Sequence, residues 1–215
     1  MSLAPRLAEG IAALGFSIPH ETQVRLLQYL ALIQKWNHVH NLTAVREPET
    51  MLVRHLLDSL AIIPYITGER IVDVGSGAGL PGIPLALVHP EWHVALVESN
   101  HKKAIFLQQA RIELSLKNVE VVAERVENFS SAEGFDTVIS RAFSDLADFV
   151  RLGGHLCRQG DGEGRLVAMK GIYPHEELAQ LKPELDPLFV VEKVLPITVP
   201  GLEAERHLVV MKRYA

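Results

Sequence analysis

Apolar positions change their spacing once along this chain, near residue 65. Before that point they recur every three or four residues, the spacing that lines one face of a helix. Leu3, Leu7, Ile11 and Leu14 make one such face, and Gly15 is a natural stop for it. Val24, Leu27, Leu30 and Ile33 make a second stripe, continuing toward Trp36. A third helical segment spans residues 49–63, with Met51, Leu52, Leu56, Leu60 and Ile63 on related faces and Pro64 after it. Residues 1–65 are therefore expected to form a helical region packed on the rest of the chain.

Beyond residue 65, short β-branched runs take over at 70–74 (RIVDV), 92–97 (WHVALV), 119–123, 135–140 and 166–169. Helical segments are expected between most of them, at 81–89, 102–116, 144–158 and 174–185. Strands alternating with helices predict a parallel sheet with right-handed crossovers. Residues 188–198 and 206–212 are two further strand-like runs, separated by a Pro200-Gly201 turn with no room for a helix. The predicted fold is α/β: a doubly wound, mostly parallel sheet over residues 66–215, ending in an antiparallel hairpin, with an N-terminal helical appendage.

Composition narrows the setting. With 215 residues and 48% hydrophobic content, the chain is long enough for a sizeable core. One cysteine, Cys157, rules out an internal disulfide framework and reads as a core thiol in an apolar helix. Arg6 and Glu9 interrupt the first apolar pattern, unlike a signal peptide. The longest uncharged apolar run, 59–68, is too short to span a bilayer and contains Pro64. A cytoplasmic monomer without membrane contact is expected. The net charge of −5 argues mildly against a nucleic-acid partner. Local distribution matters more than the sum, and the acidic excess sits in the middle third.

The motif with the most chemistry is Asp73-Val74-Gly75-Ser76-Gly77-Ala78-Gly79-Leu80-Pro81-Gly82, placed between a predicted strand and a helix. Glycines let a backbone turn sharply and approach a ligand. Such sheets bind ligands at the carboxyl ends of their strands, near the switch in strand order. A dinucleotide site needs its first glycine directly off the strand. That residue is Gly75, and in its register the third glycine position is Leu80. Asp-x-Gly-x-Gly-x-Gly, with Gly75, Gly77 and Gly79, fits better and favours S-adenosyl-L-methionine, with Asp73 as an acid near its cation. Glu98, at the end of the second strand, suits ribose hydroxyls in either cofactor class. Val126 and Glu127 follow the third strand, where adenine would lie, although Glu127 has an equal claim as a surface acid. Arg141 follows the fourth strand, where loops line the site. By topological analogy, the closing hairpin belongs with class I methyltransferases.

Absent motifs restrict the acceptor. There is no Asn/Asp-Pro-Pro-Tyr/Phe motif for exocyclic amines, and Cys157 is not in a Pro-Cys loop for attack on a pyrimidine. No His-Glu-x-x-His spacing supports a metal, and none is expected. No tyrosine has the Tyr-x-x-x-Lys spacing of a reductase. Guanine N7, whose free lone pair needs no deprotonation, fits these absences, and no general base is nominated. A small-molecule or protein methyltransferase and a non-catalytic RNA-binding module remain the alternatives.

The sequence resembles the bacterial 16S ribosomal RNA guanine-N7 methyltransferases, also called ribosomal small-subunit methyltransferase G or glucose-inhibited division protein B, over nearly its whole length. The marks are Lys35-Trp36-Asn37 with Asn41-Leu42-Thr43, His55-Leu56-Leu57-Asp58-Ser59, the loop 73–84 (DVGSGAGLPGIP), Ser140-Arg141-Ala142-Phe143, Met169-Lys170-Gly171 and Arg206-His207. The resemblance implies S-adenosylmethionine contacts at Gly75, Leu80, Val126, Glu127 and Arg141. It also implies methylation of one guanosine in 16S rRNA, free or within the 30S subunit. An RNA-facing patch is expected from Lys35, Asn41, Arg46, Arg54 and His55, with Lys170 and Arg206 across it. Charge reversal at Arg46 or Lys170 is expected to weaken RNA binding and spare cofactor affinity. The alternative is that Trp36, Asn41 and His55 only pin the helical region to the sheet.

Overall fold

The computed structural model describes residues 2–141, 143, 145–160, 164–181 and 189–213. Three helical segments come first. Helix α1 (Leu3–Ala13) stops at Gly15, whose φ of 81° a side chain would resist. Helix α2 (His20–His40) ends at Asn41, which takes the left-handed conformation as its cap. Its buried residues are Leu26, Tyr29, Leu30, Leu32 and Ile33, while Val24 of the expected stripe is exposed. A strict three-residue spacing drifts around a 3.6-residue helix, so Val24 and Ile33 cannot share a narrow face.

The third segment is not one regular helix. Helix α3 (Pro48–Met51) passes into a π-helical stretch, Leu52–Leu57, and then α4 (Asp58–Leu60). Wide turns of this kind gather at functional sites. Here the carbonyls of Arg54 and His55 accept side-chain hydrogen bonds from Arg141 and Ser59, at 3.1 and 2.6 Å.

The alternating region follows as β1 (Arg70–Val74), α5 (Gly82–Val88), β2 (His93–Val97), α6 (His101–Glu113), β3 (Val119–Val122), β4 (Thr137–Ser140), α7 (Leu146–Gly153), β5 (Arg165–Lys170), α8 (His175–Gln180), β6 (Phe189–Pro196) and β7 (His207–Arg213). The order across the sheet is β3-β2-β1-β4-β5-β7-β6, parallel until β7 pairs antiparallel with β5 and β6. Order reverses between β1 and β4, so the ligand crevice is expected at their carboxyl ends. Asn100 caps α6 and Asp145 caps α7 through their side-chain oxygens.

Several boundaries moved for local reasons. Strand β4 starts at Thr137 because Phe135 makes a lone bridge to Cys157 and Asp136 turns its Oδ2 to the Glu69 and Arg70 N–H groups. Helix α6 stops short of Leu116, and Ser115 takes a positive φ. Helix α7 ends at Gly153, so Cys157 lies beyond it in that bridge, buried, with its thiol pushed up to about 12. The far parts of the helix expected over 174–185 and the start of the strand expected at 188 fall outside the described residues.

Each face of the sheet has its own apolar core. One face (Ile71, Leu96, Ile139, Val167, Val210) packs under α5 and α6 together with Leu26, Leu30, Ile33, Met51 and Leu56 of the N-terminal region. The other (Val72, Val74, Val97, Val138, Val209) packs under Leu146, Phe149 and Val150 of α7. Alternation along β1 therefore directs Asp73 toward the face shared with the N-terminal helices.

Candidate active site

The loop after β1 is a compact backbone structure. The N–H groups of Gly75 and Ser76 donate to Val97 O at 2.9 and 3.1 Å, and Gly79 N–H donates to Ser76 O at 2.7 Å. Gly75, Gly77 and Gly79 have φ values of 69°, 59° and 84°. That conformation excludes most side chains, and at Gly79 a Cβ would also sit 2.6 Å from Ile83 Cδ1. Two buried acids hold the loop. Glu98 accepts from Gly77 N–H at 2.8 Å and Asn100 N–H at 2.7 Å. Asp73 Oδ2 accepts from Gly82 N–H at 2.9 Å, at the start of α5. Burial pushes the Asp73 carboxyl up to about 7, against the pull of the Gly82 N–H and the Arg141 guanidinium. Its other oxygen is buried without a partner.

Two clefts open at the carboxyl edge of the sheet. The first, of about 290 Å³, is lined by Gly75, Val97, Ser99, Val126, Glu127 and Phe143, among others. The second, of about 310 Å³, holds Arg54, His55, Asp58, Arg141, Lys170 and Arg206. Asp58, only 3% exposed, accepts from Arg206 Nε at 2.8 Å and lies 3.6 Å from Arg141 Nη1. His55 Nε2 is 3.0 Å from Thr43 Oγ1, while its Nδ1 is buried without a partner. Burial, then the Arg141 charge, lowers the His55 pKa to about 4, so the ring is neutral near pH 7. Lys170 pairs with Glu177 at 2.6 Å and donates to Phe143 O at 3.1 Å.

Against known families, residues 22–209 match the GidB family, described as rRNA small subunit methyltransferase G. The chain belongs to that family. A ribosomal RNA small subunit methyltransferase G of Nitrosospira multiformis is 69% identical across 99% of both chains. Its counterpart in Nitrosomonas eutropha is 54% identical over 99% of this chain and 98% of that one. Among solved structures, a SAM-dependent methyltransferase from Aquifex aeolicus aligns with a TM-score of 0.59 at 14% identity, over 82% of this chain and 96% of that one. The tRNA (m1A58) methyltransferase TrmI of the same organism aligns at 0.57, 14% identical, over 74% and 69%. Identities this low speak for the fold alone, the one shared by class I S-adenosylmethionine methyltransferases.

In this member of the family, the candidate residues separate by position. Gly75, Val126 and Glu127 line the first cleft, and Gly77 and Gly79 shape its loop. Leu80 is buried in the core and contributes backbone, its N–H donating to Ser76 O at 3.1 Å. Arg141 lines the second cleft, not the first. Of the RNA candidates, Arg54, His55, Lys170 and Arg206 come together there, while Lys35, Asn41 and Arg46 are exposed outside its lining. Sequence reasoning passed over Asp58, the shared partner of two cationic side chains, and Tyr29, whose hydroxyl reaches the loop. Asp58 stands inside the His55–Ser59 mark and was the one legible signal. Nothing local distinguishes Tyr29.

The loop fits S-adenosylmethionine on this structure's own terms. An orphaned carboxylate oxygen on Asp73, a second acid at Glu98 and a tight turn whose positive φ values favour glycine at 75, 77 and 79 suit a cationic, hydroxyl-bearing ligand. Among the described residues, no three His, Cys, Asp or Glu side chains are grouped to hold a metal.

Proposed function

We propose that the two clefts are halves of one active site, the first taking the adenosine end of S-adenosylmethionine and the second taking RNA. The family's reaction moves a methyl group from that donor to N7 of a guanine in 16S rRNA. The observation that carries the assignment of clefts is the segment after β4. Phe143 lines the first cleft and Arg141 the second, so the two share a wall. Ser140 Oγ, donating to Val74 O at 2.8 Å, ties that wall to the end of β1.

When bound, the donor supplies an electrophilic methyl on a sulfonium. The acceptor, guanine N7, would offer its in-plane lone pair to that methyl. No proton leaves the acceptor in this step, so the chain needs no general base and acts by alignment. Glu98 and Asp73 fix the loop, and Glu98 is the acid assigned to the ribose. Val126 and Glu127 border the adenine position. Arg54, Lys170 and Arg206 offer phosphate contacts, which set register without reading sequence. Among the described residues no helix is long and apolar enough to cross a membrane. The reading has the protein working on ribosomal RNA in the cytoplasm, as a monomer.

The test is chemical cleavage at N7-methylguanosine in 16S rRNA from cells with and without this gene. Cleavage at one guanosine is expected to vanish with the gene and return with it. Cleavage that persists without the gene overturns the substrate. Tighter binding of NAD than of S-adenosylhomocysteine by the purified protein overturns the cofactor site.

A further inference from the structure

Beyond the second cleft lies an aromatic group that the reaction does not use. The chain leaving β5 runs Gly171-Ile172-Tyr173-Pro174-His175, and Ile172 and Tyr173 are 79% and 37% exposed. The Tyr173 ring is not packed into a core. It lies 4.3 Å from the His175 ring and 5.4 Å, edge-on, from His207. His207 in turn donates from Nδ1 to Gly171 O at 2.8 Å, fastening the loop to β7. Lys170 and His207 are register partners, and Lys170, Gly171 and Arg206 all line the cleft. The aromatic group therefore continues the cationic wall outward from the site.

We infer that Tyr173, backed by His175 and His207, is a stacking platform for an unpaired base of the RNA that flanks the target guanine. This rests on the reading of the second cleft as the RNA side. RNA is read in sequence through unstacked bases laid on aromatic rings, since phosphate contacts fix position only. A nucleobase has two apolar faces and joins a polyanionic backbone, so it needs a ring beside cations. Tyr173 beside Lys170 and Arg206 offers that pair of features. The ring is held by neighbours on two elements, so little is lost in ordering it when a base arrives.

The test uses the full-length protein with Tyr173→Leu and Tyr173→Phe, 16S rRNA as substrate, and S-adenosylhomocysteine affinity as the check on folding. Tyr173→Leu is expected to raise the KM for RNA about ten-fold, as loss of one stacked base does. Tyr173→Phe, which keeps the ring, is expected to match the wild type. The slope of log Kd against log salt is expected to be the same for all three, because stacking releases no counterions. A Leu variant with wild-type KM overturns the platform. So does a Phe variant as weak as Leu, which would assign the role to the hydroxyl, or a matching loss of S-adenosylhomocysteine affinity, which would assign Tyr173 to folding. A wild-type protein that methylates neither the free RNA nor 30S subunits from cells lacking the gene overturns the underlying reading, and the platform with it.

Discussion

The hydroxyl of Tyr29, in the middle of α2, donates a 2.5 Å hydrogen bond to the carbonyl of Ala78 in the glycine loop. The N-terminal helices are thus not a separate attachment: one of them holds the cofactor loop by its backbone. Burial raises the Tyr29 pKa well above its ordinary value, so the group remains a donor across the working pH range. Tyr29→Phe keeps the ring packing and leaves a buried carbonyl without its donor, a loss of about 1–3 kcal/mol. The variant is expected to melt several degrees lower and to bind S-adenosylhomocysteine several-fold more weakly by calorimetry. If neither quantity moves, the bond does not support the loop.

Asp73 predicts a pH dependence with an unusual sign. Its carboxyl titrates at about 7 in the fold against an ordinary 3.8, so between those values the folded chain holds a proton that the unfolded chain has released. Stability from this group is full below about 3.8, declines by roughly 1.4 kcal/mol per pH unit above it, and is lost once pH has risen through about 7. Salt-bridged carboxylates act in the opposite direction, so the contribution must be read as a difference. Urea unfolding of the wild type and Asp73→Asn at pH 5 and pH 8 is the measurement. The wild type should lose more stability than the variant between the two. An equal change in both would show that Asp73 is ionised throughout the range.

The sheet was legible because its strands are buried on both faces and read as short, continuous β-branched runs such as 70–74 and 93–97. The loop was legible because glycine every second residue directly after a strand has few other uses. What escaped depends on contacts far apart in sequence. Arg206 meets Asp58 across 148 positions and Tyr29 meets Ala78 across 49, and neither pairing leaves a periodic trace. The π-helical turn at Leu52–Leu57 also escaped, because its apolar spacing resembles an ordinary helix. It offers Arg54 O to Arg141 and so places Arg141 in the second cleft.

The Asp58 bridge can be measured as a coupling. One buried carboxylate faces two partly exposed guanidiniums, Arg141 and Arg206, so removing its charge leaves two cations close together. Asp58→Asn is expected to lower stability by about 1–3 kcal/mol, less than a fully buried pair because water reaches both arginines. In a double-mutant cycle with Arg206→Gln, a favourable coupling of roughly 0.5–3 kcal/mol is expected from denaturant unfolding. Additive losses would mean that the 2.8 Å contact contributes no energy of its own.

Charge reversal now separates two residues that the sequence treated alike. Arg46 is exposed and outside both clefts, so Arg46→Glu removes only a cation facing solvent. It is expected to weaken RNA binding, to reduce the slope of log Kd against log salt by about one phosphate contact, and to leave S-adenosylhomocysteine affinity unchanged. Lys170 is placed differently. Its ammonium holds both Glu177 and the carbonyl of Phe143, and Phe143 lines the first cleft, proposed for the cofactor. Lys170→Glu would set a carboxylate against Glu177 and release Phe143, so both RNA and cofactor affinity are expected to fall. This replaces the expectation that cofactor binding is spared. A Lys170→Glu protein with intact S-adenosylhomocysteine affinity would show that Phe143 keeps its place without the lysine, and that the wall between the clefts is stiffer than this contact makes it.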